Sequence, residues 1–141
     1  MEIVDRALRE LDAGELYGIL KLRMDVFVVE QNCAYPELDG RDDEPGTRHV
    51  WISDGSGPIA CARLLDDGDA RRIGRVATRA GARGAGLAGA LVDHLLATSD
   101  GPWVLDAQTG LVGWYERRGF VASGPAFVED GIPHVPMRRD V

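Results

Sequence analysis

Apolar residues recur along the chain with two periods, and the switches between them mark out the elements. The opening run "EIVDRAL" reads as a strand. "DAGE" follows as a capping box, with Asp12 at the N-cap and Glu15 three residues on. The helix it opens runs from Ala13 to Glu30 and sets Leu16, Ile19, Leu20, Met24 and Phe27 at helical spacing. "NCAYPELDGRDDEPGT" then loses all period and carries two prolines and two glycines, which predicts a loop or a broken second helix. "RHVWIS" and "PIACARLL" are β-like runs joined by "DGSG", a hairpin signal, and "ARRIGRVAT" is a third strand. From Leu87 the period lengthens, with Leu87, Leu91 and Leu95 on one helical face until "SDGP" stops it. "WVLDAQ" is a strand, "LVGWYERRG" a short helix closed by Gly119, and "FVASGPAFVE" and "HVPMRR" are strands around the turn "EDGIP".

Three successive strands with short turns imply antiparallel pairing, whereas strand–helix–strand implies a parallel crossover. The expected class is therefore α/β (α+β), a mixed sheet with helices on both faces. There are no repeats, low-complexity runs or linkers, so a single domain spanning 1–141 is expected. That length buries a core without metal or disulfide staples.

Charge narrows the partners. The net charge of −7 argues against a nucleic-acid surface, which needs a basic stripe, and suits cationic small molecules. Fifteen of the sixteen basic residues are Arg, with Lys21 the exception; this reads as genome composition, not function. Cys33 and Cys61 have neither metal-ligand spacing nor a disulfide framework. The charged start "MEIVDRALRE" is no signal peptide, and no apolar run suits a membrane span. A reducing cytoplasm is the expected setting, with neither membrane nor nucleic acid as partner.

"GAGLAG", residues 84–89, spells the dinucleotide fingerprint G-x-G-x-x-G, and Asp106 follows at about the distance of the ribose-binding acid. The context is wrong. That fold closes its turn directly after the strand, whereas "RAGAR" intervenes here between Thr78 and Gly84. Too little chain follows Asp106 for further βαβ units, and no Gly-Lys-Ser/Thr is present for a P-loop. A strand, an Arg-Gly-x-Gly turn and a helix can still bind phosphate. A helix N-terminus carries unpaired N–H donors and partial positive charge. Glycines at 84 and 86 let the backbone approach closely, and Arg83 adds a charged donor.

"GRVATRAGARGAGLAGALV" resembles motif A of the GNAT superfamily, the Gcn5-related N-acetyltransferases. Gly81 departs from the family pattern, which has Gln or Arg there; Arg79 or Arg83 is the candidate substitute. "QTGLVGWYERRGF" resembles motif B, with Tyr115, Glu116, Gly119 and Phe120 matching outright, while Gln108 and Leu111 stand for the usual Asn and Ala. "VFVVEQNCAY" and "EDGIPH" are similar to the ElaA-like branch, and the resemblance covers nearly the whole chain. It implies the GNAT fold, a mostly antiparallel central sheet of about six to seven strands splayed between strands 4 and 5.

The resemblance implies transfer of an acetyl group from acetyl-CoA to a primary amine by direct attack in a ternary complex, without a metal. The acceptor is a small-molecule or peptide amine. Relatives often pair, so a homodimer is among the assemblies it admits. It places the pyrophosphate on Arg83, Gly84, Ala85, Gly86, Leu87 and Ala88, and the acyl arm along Val76, Ala77 and Thr78, with Gln108 contributing from the fifth strand. Gly89 is left as a packing residue that lets its helix approach the sheet. Tyr115 is the expected general acid, since a phenol can protonate a departing thiolate. Glu30 is the candidate base, its carboxyl expected to be raised by burial after the apolar run "VFVV". His134 is a weaker candidate; His49 also titrates near neutrality as a free residue, and His94 reads as structural. Cys33 lacks the adjacent base that a nucleophile needs, and Cys61 reads as core. The acids Glu37, Asp39, Asp42, Asp43 and Glu44 read first as solvated surface and second as an amine-attracting rim. Arg63, Arg75 and Gln108 are candidates for a polar part of the acceptor. A rival function is a non-catalytic acyl-CoA-binding regulatory or sensor domain.

Overall fold

The computed structural model describes residues 2–141. In chain order it forms β1 (Ile3–Arg6), α1 (Ala13–Arg23), β2 (Arg48–Asp54), β3 (Gly57–Asp66), β4 (Arg71–Thr78), α2 (Leu87–Ala97), β5 (Trp103–Gln108), α3 (Val112–Glu116), β6 (Val121–Ala122), β7 (Phe127–Glu129) and β8 (Ile132–Arg139). All eight strands join one sheet of order β1-β2-β3-β4-β5-β8-β6, with β7 also on β8. Every pairing is antiparallel except β4 with β5. The mixed sheet and the parallel crossover after the glycines are as the pattern predicts.

Two boundaries differ from the sequence reading, and one open alternative is decided. The long first helix is α-helical only to Arg23; from Met24 to Glu30 it widens into a π-helical turn. The strand expected across "FVASGPAFVE" is two short pieces, β6 and β7, because Ser123 to Ala126 loop outward around Gly124 and Pro125. "NCAYPELDGRDDEPGT" is an irregular loop without a helix.

Strand alternation sends consecutive side chains to opposite faces, so β2 serves two cores. Val50 and Ile52 join Ala60, Ala62, Leu64 and Ile73 under Leu91, Val92 and Leu95 of α2. Trp51, Cys61 and Ala77 look the other way and meet Ile19, Leu22 and Val26. Each such aliphatic side chain contributes about 1.5–3 kcal/mol on burial. Asp12 caps α1 as expected: its side chain accepts from Glu15 N at 2.8 Å, and Glu15 accepts from Asp12 N at 3.0 Å. Gly18 brings α1 close to β3, since a Cβ there would lie 2.8 Å from Pro58 Cδ. Among the described residues no helix is long and apolar enough to cross a membrane.

Candidate active site

The site begins where the sheet comes apart. β4 and β5 pair only at Arg71 with Trp103 and Arg72 with Val104. Beyond Arg72 they diverge, while β5 stays paired along its other edge with β8 from Trp103 to Gln108. A cleft of about 340 Å³ opens between them, floored by Gly74–Val76 of β4 and Leu105–Gln108 of β5. On the β3 side β4 carries a bulge: Cys61 pairs with Ala77 but Arg63 with Gly74, leaving one extra residue on β4. Arg75 lies in the bulge at φ 51, the left-handed region. Such a conformation costs a non-glycine residue roughly 1–3 kcal/mol and persists only where its surroundings hold it.

Tyr115 reaches the cleft from α3, held by edge-on contacts with Trp114 and Phe120. Its ring is buried, yet its hydroxyl has no hydrogen-bond partner among the described residues. Burial pushes the phenol up to about 12, against a smaller opposing effect of Arg118, so it stays protonated at neutral pH.

The glycine turn lies between β4 and α2. Gly84 and Gly86 adopt φ 86 and 77, and Gly86 is the N-cap of α2. A Cβ on either would meet nothing within 4 Å, so the surface above them is open. The first N–H groups of α2 have no intrahelical acceptor, as at any helix start. An anionic diphosphate fits this donor set. Gly81 has open space and ordinary φ, so no steric demand explains it. Arg79 is engaged elsewhere, by Asp54 at 3.0 Å and Ser56 at 2.6 Å. Gly89 is buried, and a Cβ on it would collide with the Arg118 guanidinium and lie 3.7 Å from the Trp114 ring. It is a packing residue, but against Trp114 of α3 and Arg118 just beyond it, not against the sheet.

Glu30 differs from expectation. It is exposed at the end of the π-helical turn, and its carboxylate pairs with Arg83, each contact at 2.7 Å. The Arg83 hydrogen bond holds its carboxyl below the usual range, against a slight burial effect. The widened turn carries Val29 and Glu30 outward while Phe27 and Gln31 line the cleft. A pKa raised by burial is therefore ruled out.

The acidic loop also differs. Glu37 is 2% exposed, and Asp39 and Asp42 are only partly open, each bound to arginines. Arg23, 1% exposed, donates to Glu37 at 2.6 Å and to Asp42 at 2.7 Å. Arg63 donates to Asp39 and Asp42 at 2.8 Å and 3.1 Å, and Arg75 to Glu37 at 2.8 Å. Burial alone would raise the Asp39 carboxyl, but the hydrogen bond and charge of Arg63 outweigh it and bring it to about 2. Arg75 is thus engaged internally, whereas Arg63 pairs through its terminal nitrogens but leaves its buried Nε without a partner; both line the cleft, while Asp43 and Glu44 pair at the surface with Arg9 and Arg41.

His134 lines the cleft, stacked on Phe127, with Nδ1 2.7 Å from the Ile132 carbonyl. With Nδ1 donating there, Nε2 is the ring nitrogen left to accept. Gln108 lies at the same end, its amide 3.4 Å from Gln31. Cys33 shares the wall and donates weakly to the Asp130 carbonyl at 3.5 Å. His49 is buried outside the cleft, where desolvation lowers its pKa and Nε2 meets the Asp42 carbonyl at 2.9 Å. His94 pairs with Asp5 at 2.8 Å, a structural contact. Cys61 is core, its thiol pushed up to about 12 by burial. Tyr35, Arg72 and Asp130 also line the cleft, and sequence periodicity singled out none of them. Tyr35 and Asp130 do fall in the stretches "NCAY" and "EDGIPH". Among the described residues no group of three or more His, Cys, Asp or Glu could hold a metal ion.

Comparison with known proteins agrees with this geometry. The family model described as "Acetyltransferase (GNAT) domain" matches residues 22–141. UPF0039 protein Rv2851c of Mycobacterium tuberculosis is 48% identical over 137 residues, covering 93% of this chain and 88% of that protein. The crystal structure of Escherichia coli ElaA superposes with TM-score 0.93 at 36% identity, covering 99% of this chain and 100% of that one. A Pseudomonas aeruginosa structure described as an acyl-CoA N-acyltransferase gives TM-score 0.93 at 38% identity, with 99% of each chain covered. The splayed sheet, the glycine turn at the head of α2 and this sequence likeness agree: the chain belongs to the GNAT acetyltransferase family and is ElaA-like within it.

Proposed function

We propose that the chain is an N-acetyltransferase that moves the acetyl group of acetyl-CoA to a primary amine by direct attack in a ternary complex. The observation that carries this reading is the edge of β4 that β5 leaves unpaired beyond Arg72: Tyr115 lines the cleft beside it, and the open glycine turn at the head of α2 follows the same strand.

Arg83 and the backbone of Gly84 to Ala88 hold the pyrophosphate. The Val76–Thr78 main chain receives the pantetheine arm and the thioester carbonyl, with Gln108 on the opposite wall. Donors fixed on a strand before reaction stabilise a developing oxyanion without reorganising. His134 Nε2 takes the proton that the attacking amine must lose. As the new C–N bond forms and the C–S bond breaks, Tyr115 donates its proton to the departing sulfur. Solvent later restores Tyr115 and receives the proton from His134. Glu30 is left out of the proton path, because its carboxylate is exposed and paired with Arg83. We assign the reaction to one domain spanning residues 1–141 and to a reducing cytoplasm, in keeping with two free cysteines.

The test is an acetyl-CoA-dependent thiol-release screen over amines, with acetylated products identified by mass. Calorimetric binding of CoA with no thiol release from any amine would instead identify a sensor domain.

A further inference from the structure

Glu37 lies in a loop whose charge pattern reads as surface, yet it is buried at 2% exposure. Its Oε2 accepts from Arg23 Nε at 2.6 Å and from Arg75 Nε at 2.8 Å. Its main-chain oxygen accepts from the same two guanidiniums, at 3.2 Å and 3.0 Å. Its Oε1 takes the hydroxyl of Tyr35, whose ring lies against the Arg75 guanidinium at 5.6 Å. A buried ion cluster is a poor way to stabilise a fold, since apolar residues of the same volume often do as well. What it supplies is direction.

The two arginines depend on Glu37 unequally. Arg23 keeps a second strong anion, Asp42 at 2.7 Å. Arg75 has only Asp39, at 3.3 Å. Arg75 is also the left-handed residue of the β4 bulge. The ladder to β3 fixes the bulge on either side, at Gly74 with Arg63 and at Ala77 with Cys61, and the Arg75 side chain ties the bulged residue itself to the Glu37 loop. The neighbours Gly74 and Val76 line the cleft.

We infer that Glu37 is a positioning residue for acyl transfer: through Arg75 it sets the β4 bulge, and so the aim of the Val76 main chain into the cleft. The inference rests on the acetyltransferase reading above. An amide aimed at a developing oxyanion acts mainly in the transition state, so misaiming it lowers kcat and leaves KM in place.

Glu37→Gln keeps the shape and removes the charge. The full-length chain, Glu37→Gln, Arg75→Ala and the double variant are compared for thiol release from acetyl-CoA, with hydroxylamine as a small acceptor. The Val76 amide is followed by NMR, and folding by thermal unfolding. Glu37→Gln remains folded, loses about tenfold in kcat, holds KM for acetyl-CoA within about twofold, and shifts the Val76 resonance. The double variant is no slower than the slower single variant, because both changes cut one tether. A folded Glu37→Gln with wild-type kcat, an unmoved Val76 resonance, or additive losses in the double variant would each overturn the inference. If the wild type released no thiol with any amine, the acetyltransferase reading would fall; the Val76 resonance would still decide whether Glu37 holds the bulge.

Discussion

The sequence points to both Tyr115 and Glu30, and their surroundings differ: Tyr115 lines the cleft, whereas Glu30 is exposed and paired with Arg83. Tyr115 is recognisable because its motif, "WYERRGF", fixes both the helix and the aromatic neighbours that bury it. Replacing it with Phe should cut kcat by about 100-fold while leaving CoA affinity unchanged by calorimetry. Because burial raises its pKa to about 12, the acid form persists through pH 10, and wild-type kcat should show no alkaline fall from this group below that pH. The run "VFVV" suggests burial for Glu30, but the π-helical turn leaves that residue exposed at its end. Its partner is Arg83, a residue expected to serve phosphate. Glu30→Gln should free that guanidinium and tighten CoA binding by up to about fivefold, the scale of an exposed ion pair. Titration calorimetry at low and high salt checks this, since screening should shrink the difference.

Between β4 and α2 the glycines are legible as a turn, yet each has a different task that only coordinates reveal. Gly86 needs its positive φ, so Gly86→Ala should lose about 1 kcal/mol of stability and weaken CoA binding. Gly81 has open space and ordinary φ, so Gly81→Ala should stay within about 0.5 kcal/mol of wild type. Urea midpoints for the two variants provide the comparison. The β4 bulge has no sequence signature, because arginine at positive φ obeys no local propensity. Its left-handed residue is held by Glu37, from a loop some forty residues upstream.

Across the whole molecule that loop gathers the charges of α1, β3 and β4 into one partly buried cluster. Asp39 and Asp42 both titrate below the ordinary carboxylate range in the folded state. A depressed folded pKa contributes stability that is fully present above the unfolded value of about 4 and is lost as pH falls through the folded one. The urea midpoint should therefore fall between about pH 4 and pH 2, and Asp39→Asn should flatten part of that limb.

Periodicity and turn chemistry along the chain determined the order of elements, the capping of α1, the parallel crossover and the place of the glycine turn, because these follow from contacts between near neighbours. Tertiary structure decided which acids are buried, what Arg83 and Arg75 hold, and how β4 is bent at the cleft. Those outcomes depend on which distant side chains converge, and a charged residue carries no local mark of its partner. Of the five acids that spell a solvated surface in sequence, Glu37, Asp39 and Asp42 instead pair with three arginines from other elements.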